Sequence, residues 1–185
     1  LTLAGNALTL SGSFDATGGN FSSTALTTFD GTSGGFEVTS NGDAFSGVTI
    51  AGGATVTLLD AMKMSGDLNL NAGTLAMGTS NVTLSGSLVD GGGAFTASNT
   101  VTFDGTDSKT ITSDGNTFSA VTFGAAGTWT LSNAMDVDGL LTLTDGTVNS
   151  STLNAGGNVT QGSAFDRSEE HTSELQSPCN LVCRL

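Results

Sequence analysis

The sequence predicts an all-β protein, a parallel β-solenoid, and three observations carry that expectation. Apolar residues recur two apart in short runs, the runs are separated by glycine, asparagine, aspartate and serine, and the pattern returns after about 74 positions. Residues two apart on a strand face the same side, so each run reads as a short, half-buried strand. Helical spacing is missing over any useful window.

Identical pentapeptides set the long period. "TLSGS" stands at Thr9–Ser13 and Thr83–Ser87, and "TFDGT" at Thr28–Thr32 and Thr102–Thr106, both pairs 74 apart. A single deletion moves the offset to 73, at which Phe45 matches Phe118, Ala61-Met62 match Ala134-Met135, and Gly73-Thr74 match Gly146-Thr147. Two copies occupy about 1–80 and 81–153. A third, partial copy fills 154–166, where "NVTQGSAF" from Asn158 echoes "NVTLSGS" from Asn81.

Within a copy the strands are read from the pairs Val48/Ile50, Val56/Leu58, Met62/Met64, Leu68/Leu70, Leu75/Met77 and Val82/Leu84. Consecutive pairs begin six to eight residues apart, with turn chemistry between them. Antiparallel β-sandwich repeats are the alternative, but no linker interrupts the pattern near residue 80. A solenoid, favoured as a right-handed β-helix with three faces, needs no linker. One repeat is then expected to fill a whole number of coils, either three of roughly 24 residues or four of roughly 18. On the first count Phe29 and Phe103 stack on one face about 14 Å apart, three strand spacings.

Composition agrees. Only 11% of residues are charged and tyrosine is absent, yet apolar residues run evenly through 1–166, which argues against disorder. Stacked coils stabilise one another pairwise and need no large globular core. Of the 17 acidic residues three lie beyond 166, and of the four basic ones only Lys63 and Lys109 lie before it, so 1–166 carries −12. That charge disfavours nucleic acid and anionic lipid as partners. No apolar run suits membrane insertion. The opening "LTLAGNALTL" lacks the pattern of a signal peptide and reads as the middle of a longer chain.

The segment Thr102–Val148, "TFDGTDSKTITSDGNTFSAVTFGAAGTWTLSNAMDVDGLLTLTDGTV", resembles the strand-repeat segments of large bacterial surface proteins, the group that includes filamentous adhesins and autotransporter passenger regions. The resemblance implies an extracellular or cell-surface location and a structural or adhesive stalk without catalysis. The implied partners are cell-surface glycans or neighbouring repeats of the same chain. A β-helix that binds or degrades polysaccharide is one alternative, and a phage-fibre-like shaft is another.

Candidate sites weigh against chemistry. Asp136 and Asp138 share a strand face, as a pair of acid and base carboxylates does, but Lys63 and Ser65 hold the matching places in the first copy, which marks an outward polar face. Asp104 and Asp107 fall in a turn. "DGGGAFTAS" and "ATGGNFSST" have the glycines of a calcium-binding nonapeptide without its aspartate in place. The two "FDGT" stretches and "TDGT" at Thr144 read as turns in which Asp caps its own backbone and Gly takes positive φ. Trp129 aligns with Val56 and reads as core, not as a sugar platform. The glycosylation sequons at Asn20, Asn81, Asn149 and Asn158 carry little in so Asn-rich a chain. No catalytic, cofactor-binding or metal-binding residue is therefore expected, and no cofactor.

Residues 167–185 stand apart, holding the only histidine, both cysteines, the only proline and both arginines. His171, Cys179 and Cys183 are too few for a structural zinc site. "RSEEHTSELQS", from Arg167, resembles a translated sequencing adapter, so this tail is expected to be non-native, and unstructured or a short helix.

Overall fold

The structure, a computed structural model, describes residues 1–150, 152–166 and 182–183. The described chain is all β and winds through about eight turns. Most strands follow the sequence pattern, two to five residues of alternating character and then a turn, while four of the described strands, seven to ten residues long, run on around a corner onto a second face.

The strands stack in three columns, one per face. The first holds β1 (Leu8–Leu10), β3 (Leu26–Phe29), β6 (Gly47–Ile50), β9 (Leu68–Leu70), β12 (Leu88–Asp90), β14 (Ser108–Thr112), β16 (Thr128–Leu131) and the end of β18 (Leu141–Ser150). The second holds β2 (Phe14–Asp15), β4 (Gly35–Thr39), β7 (Thr55–Leu58), β10 (Thr74–Ala76), the starts of β13 (Ala94–Phe103) and β15 (Thr117–Phe123), β17 (Met135–Val137) and β19 (Leu153–Ala155). The third holds β5 (Ala44–Phe45), β8 (Met62–Met64), β11 (Val82–Leu84), the ends of β13 and β15, and the starts of β18 and β20 (Val159–Asp166). Every one of these pairings is parallel, which removes the sandwich alternative. One short strand, β21 (Val182–Cys183), pairs antiparallel with β19.

Each expected strand pair points inward. Val48, Ile50, Val56, Leu58, Met62, Met64, Leu68, Leu70, Leu75, Met77, Val82 and Leu84 are all buried, while Lys63 between two methionines is exposed. The interior is one continuous apolar column. Aromatic rings stack within it, Phe103 on Phe123 at 5.3 Å and against Trp129 at 5.1 Å.

The coil is shorter than expected, and the sequence repeat is out of phase with it. Val48 pairs with Leu68 and Leu68 with Leu88, so a coil takes 20 residues there. A step of 74 residues is thus not a whole number of coils. Phe29 lies on the first face, paired with Ile50, whereas Phe103 lies on the third, paired with Leu84 and Phe123. They do not stack in one column. The repeat spans three coils and two faces of a fourth, a rise of roughly 18 Å at about 4.8 Å per coil. The physical reason is that all three faces obey the same rule, apolar inward and polar outward. A copy displaced by one face still satisfies it.

Local contacts are reproduced although the face changes. Ser11 Oγ donates to Asp30 at 2.6 Å, and Ser85 Oγ to Asp104 at 2.6 Å. Ser40 donates from N and Oγ to Asp60 at 2.8 and 3.1 Å and from Oγ to the Ala61 carbonyl at 3.0 Å. Ser113 does the same toward Asn133, at 3.0 Å from each atom, and toward the Ala134 carbonyl at 2.8 Å. Gly66 and Gly139 occupy matching corners, where a β-carbon would stand 2.0 and 2.2 Å from the carbonyl oxygens of Ser46 and Ser119.

Side-chain volume moves between positions to keep one of these corners filled. In the first copy the Phe36 ring lies over Gly31, leaving no room for a β-carbon there (1.9 Å), and Val56 is its strand partner. In the second copy Lys109 replaces Phe36, and its strand partner Trp129 now reaches the matching Gly105, 3.3 Å from where a β-carbon would be. The aromatic group has passed to the next coil, so a large residue faces the glycine in both copies.

Candidate functional site

Carboxylates are the main chemical resource of the described surface, and the fold spends them on turns and coil-to-coil links. Asp136 sits half-buried on β17 and accepts from Asn154 Nδ2 at 2.5 Å, one coil on. Asp138 is exposed just past the strand, its backbone N–H bonded to the Phe118 carbonyl at 2.9 Å. The pair is not set around a groove with a common partner. Asp104 is held by Ser85, whereas Asp107, 83% exposed, stands 3.9 Å from Lys109. Such an exposed ion pair contributes little.

The Asp-Gly turns divide into two kinds. At Gly146 the expectation holds: φ is +89° and Asp145 accepts from its N–H at 2.7 Å. In both "FDGT" stretches it fails, because neither Gly31 nor Gly105 has positive φ. Their aspartates accept a serine hydroxyl from the preceding coil, and the glycines are required by the bulky ring above them or by the close Ser85 carbonyl. "DGGG" is a self-capping turn, with Asp90 accepting from the Gly92 N–H at 3.0 Å.

Trp129 is fully buried and its indole N–H has no partner, so it offers no platform to a sugar. Among the described residues no three His, Cys, Asp or Glu side chains come together as a metal site. His171 and Cys179 lie outside the described residues, and Cys183 is described only through the backbone of β21. No helix of the described residues is long and apolar enough to cross a membrane.

The most ordered surface feature is a rank of threonines on the third face. Thr83, Thr102, Thr122, Thr142 and Thr160 stand in register on successive coils, continued at one end by Lys63. In-register strands place such side chains about 4.8 Å apart. The rank escapes a search for 74-residue repeats because it joins unlike parts of a copy. Its trace is the triplet series Val82-Thr-Leu, Val101-Thr-Phe, Val121-Thr-Phe, Leu141-Thr-Leu and Val159-Thr-Gln, which also counts out the coil. No protein-family model, curated protein or solved structure matches the chain.

Proposed function

We propose that this chain is a segment of a structural and adhesive stalk of a secreted or cell-surface bacterial repeat protein, without catalysis. The observation that carries the reading is the uniform shaft: an unbroken apolar interior under outer faces of threonine, asparagine and aspartate. Eight coils at about 4.8 Å give a rise of roughly 38 Å, with each coil supported by its neighbours. The polar exterior, threonine rank included, is the contact surface for glycans or for neighbouring repeats. Its aspartates are largely bound into turns, which speaks against acid and base work. The low content of basic residues speaks against nucleic acid.

Display of the full chain on a bacterial cell tests the reading. Adhesion to glycan-coated surfaces is expected to rise and to fall again in a Thr102→Lys, Thr122→Lys variant that keeps its β signature. Release of reducing sugar from polysaccharide overturns the stalk in favour of an enzyme, and an obligate trimer in solution overturns it in favour of a fibre shaft.

A further inference from the structure

Asn41-Gly42 is the only Asn-Gly step in the chain. It forms the corner between β4 and β5, with Asn41 at φ 55° and Gly42 at φ 83°, closed by the Asp43 N–H on the Ser40 carbonyl at 3.1 Å. Two positive φ values are what a type I′ turn demands, and Asn-Gly is its preferred pair. The same corner in the second copy reads Asp114-Gly115, at φ 46° and 82°.

We propose that Asn41 is a self-modification site, converting to aspartate or isoaspartate and loosening the joint between its coil and the next. The Gly42 backbone nitrogen attacks Cγ of Asn41. A C–N bond forms, the amide nitrogen leaves as ammonia with the proton from Gly42, and a succinimide results. Water then opens the ring at either carbonyl.

Three features of the site favour this. Both residues are exposed, and nothing lies within 4 Å of a β-carbon placed on Gly42, so the corner is open to solvent. Both reacting groups are loosely tethered: the Gly42 N–H donates to Ser40 Oγ at 3.3 Å and Asn41 Nδ2 to the Gly19 carbonyl at 3.4 Å. The second copy already carries aspartate here, so the backbone of this corner accommodates the product.

The consequence differs between the copies because their neighbours differ. Asp60 accepts from the Asn41 N–H at 2.6 Å while also holding Ser40, and Asp43 accepts from the Phe21 N–H at 2.5 Å. An acid at 41 adds a third carboxylate to this corner, and like charges repel. Around Asp114 the matching residues are Asn116 and Asn133, both neutral, and the carboxylate beside them, Asp90, accepts from Asn116 Nδ2. Isoaspartate goes further, since it lengthens the main chain by a methylene and takes the Asn41 N–H out of line with Asp60.

Incubation of the full chain in mildly alkaline buffer, followed by peptide mass mapping and enzymatic isoaspartate labelling, tests the proposal. Asn41 is expected to convert several-fold faster than Asn116 or Asn133, and the aged protein to lose hydrogen-exchange protection in β4 to β8. Asn41→Gln, whose longer side chain cyclises poorly, is expected to keep that protection over the same time. Conversion of other asparagines first, or conversion of Asn41 with protection unchanged, overturns the proposal.

Discussion

Among the described residues Thr27 is the one threonine that the fold places wholly inside. It is 0% exposed, points inward beside Phe29, is flanked in register by Leu8 and Val48, and its hydroxyl finds no hydrogen-bond partner. The second copy places Val101 at the matching position, also buried. Thr27→Val therefore exchanges an unsatisfied hydroxyl for a methyl group of similar size. Leaving a buried polar group unpaired costs about 1–3 kcal/mol, and an added buried methyl contributes about 0.8 kcal/mol. The variant is expected to be more stable by about 1–3 kcal/mol, raising the midpoint by about 2–4 °C per kcal/mol in a chain of this size. Val101→Thr is expected to lose a similar amount. Because a solenoid need not unfold in one step, the assay pairs thermal melting with hydrogen exchange in β3 and β6. A Thr27→Val protein that melts no higher, beside a tolerated Val101→Thr, refutes the reasoning and means that the hydroxyl has a partner inside the column.

Further outcomes are open to test. Ser113→Ala removes a buried hydroxyl bonded to Asn133 and the Ala134 carbonyl, and is expected to cost about 1–2 kcal/mol in denaturant melts. Gly139→Ala drives a β-carbon to 2.2 Å from the Ser119 carbonyl oxygen; a backbone atom cannot swing aside, so the loss of stability is expected to exceed that of Ser113→Ala, with Gly66→Ala alike. The Asp15 carboxyl titrates below the ordinary aspartate range because the Thr17 hydroxyl and then the Thr17 N–H bond to it. A lowered folded-state value contributes stability that is present above the unfolded pKa and lost as pH falls through the folded one. Since this group is fully exposed, the readout is its own NMR titration, which Thr17→Ala is expected to move upward.

The strands were legible because their code is local. An apolar pair such as Met62/Met64 with a lysine between needs no knowledge of the fold to be placed on two sides of a strand. The coil length was obscured by the stronger 74-residue signal, which counts strands of like chemistry and is blind to which face they occupy. The pairing of Phe29 with Ile50, and of Phe103 with Leu84, separates the two periods, and in the sequence the fainter spacing of the triplets from Val82 to Val159 carries the shorter one. The "FDGT" corners misled for a related reason. In sequence an Asp-Gly step looks self-contained, yet here the aspartate's partner is a serine one coil earlier, and the glycine answers to a ring, Phe36 of the same coil for Gly31 and Trp129 of the next coil for Gly105. Trp129 was placed correctly in the core from its alignment with Val56. Its role in replacing Phe36 over the glycine needed the register of β14 with β16.

Disulfide trapping tests the three-sided parallel coil most directly. In a chain with Cys179→Ser and Cys183→Ser, the pair Thr102→Cys and Thr122→Cys lies in register on adjacent coils, at the roughly 4.8 Å spacing a disulfide spans. Rapid intramolecular cross-linking of that pair, with none between Thr28→Cys and Thr102→Cys, is the expected result. Failure of the first pair together with cross-linking of Thr102→Cys to Ala126→Cys contradicts the account, because it restores a longer coil that divides the repeat evenly.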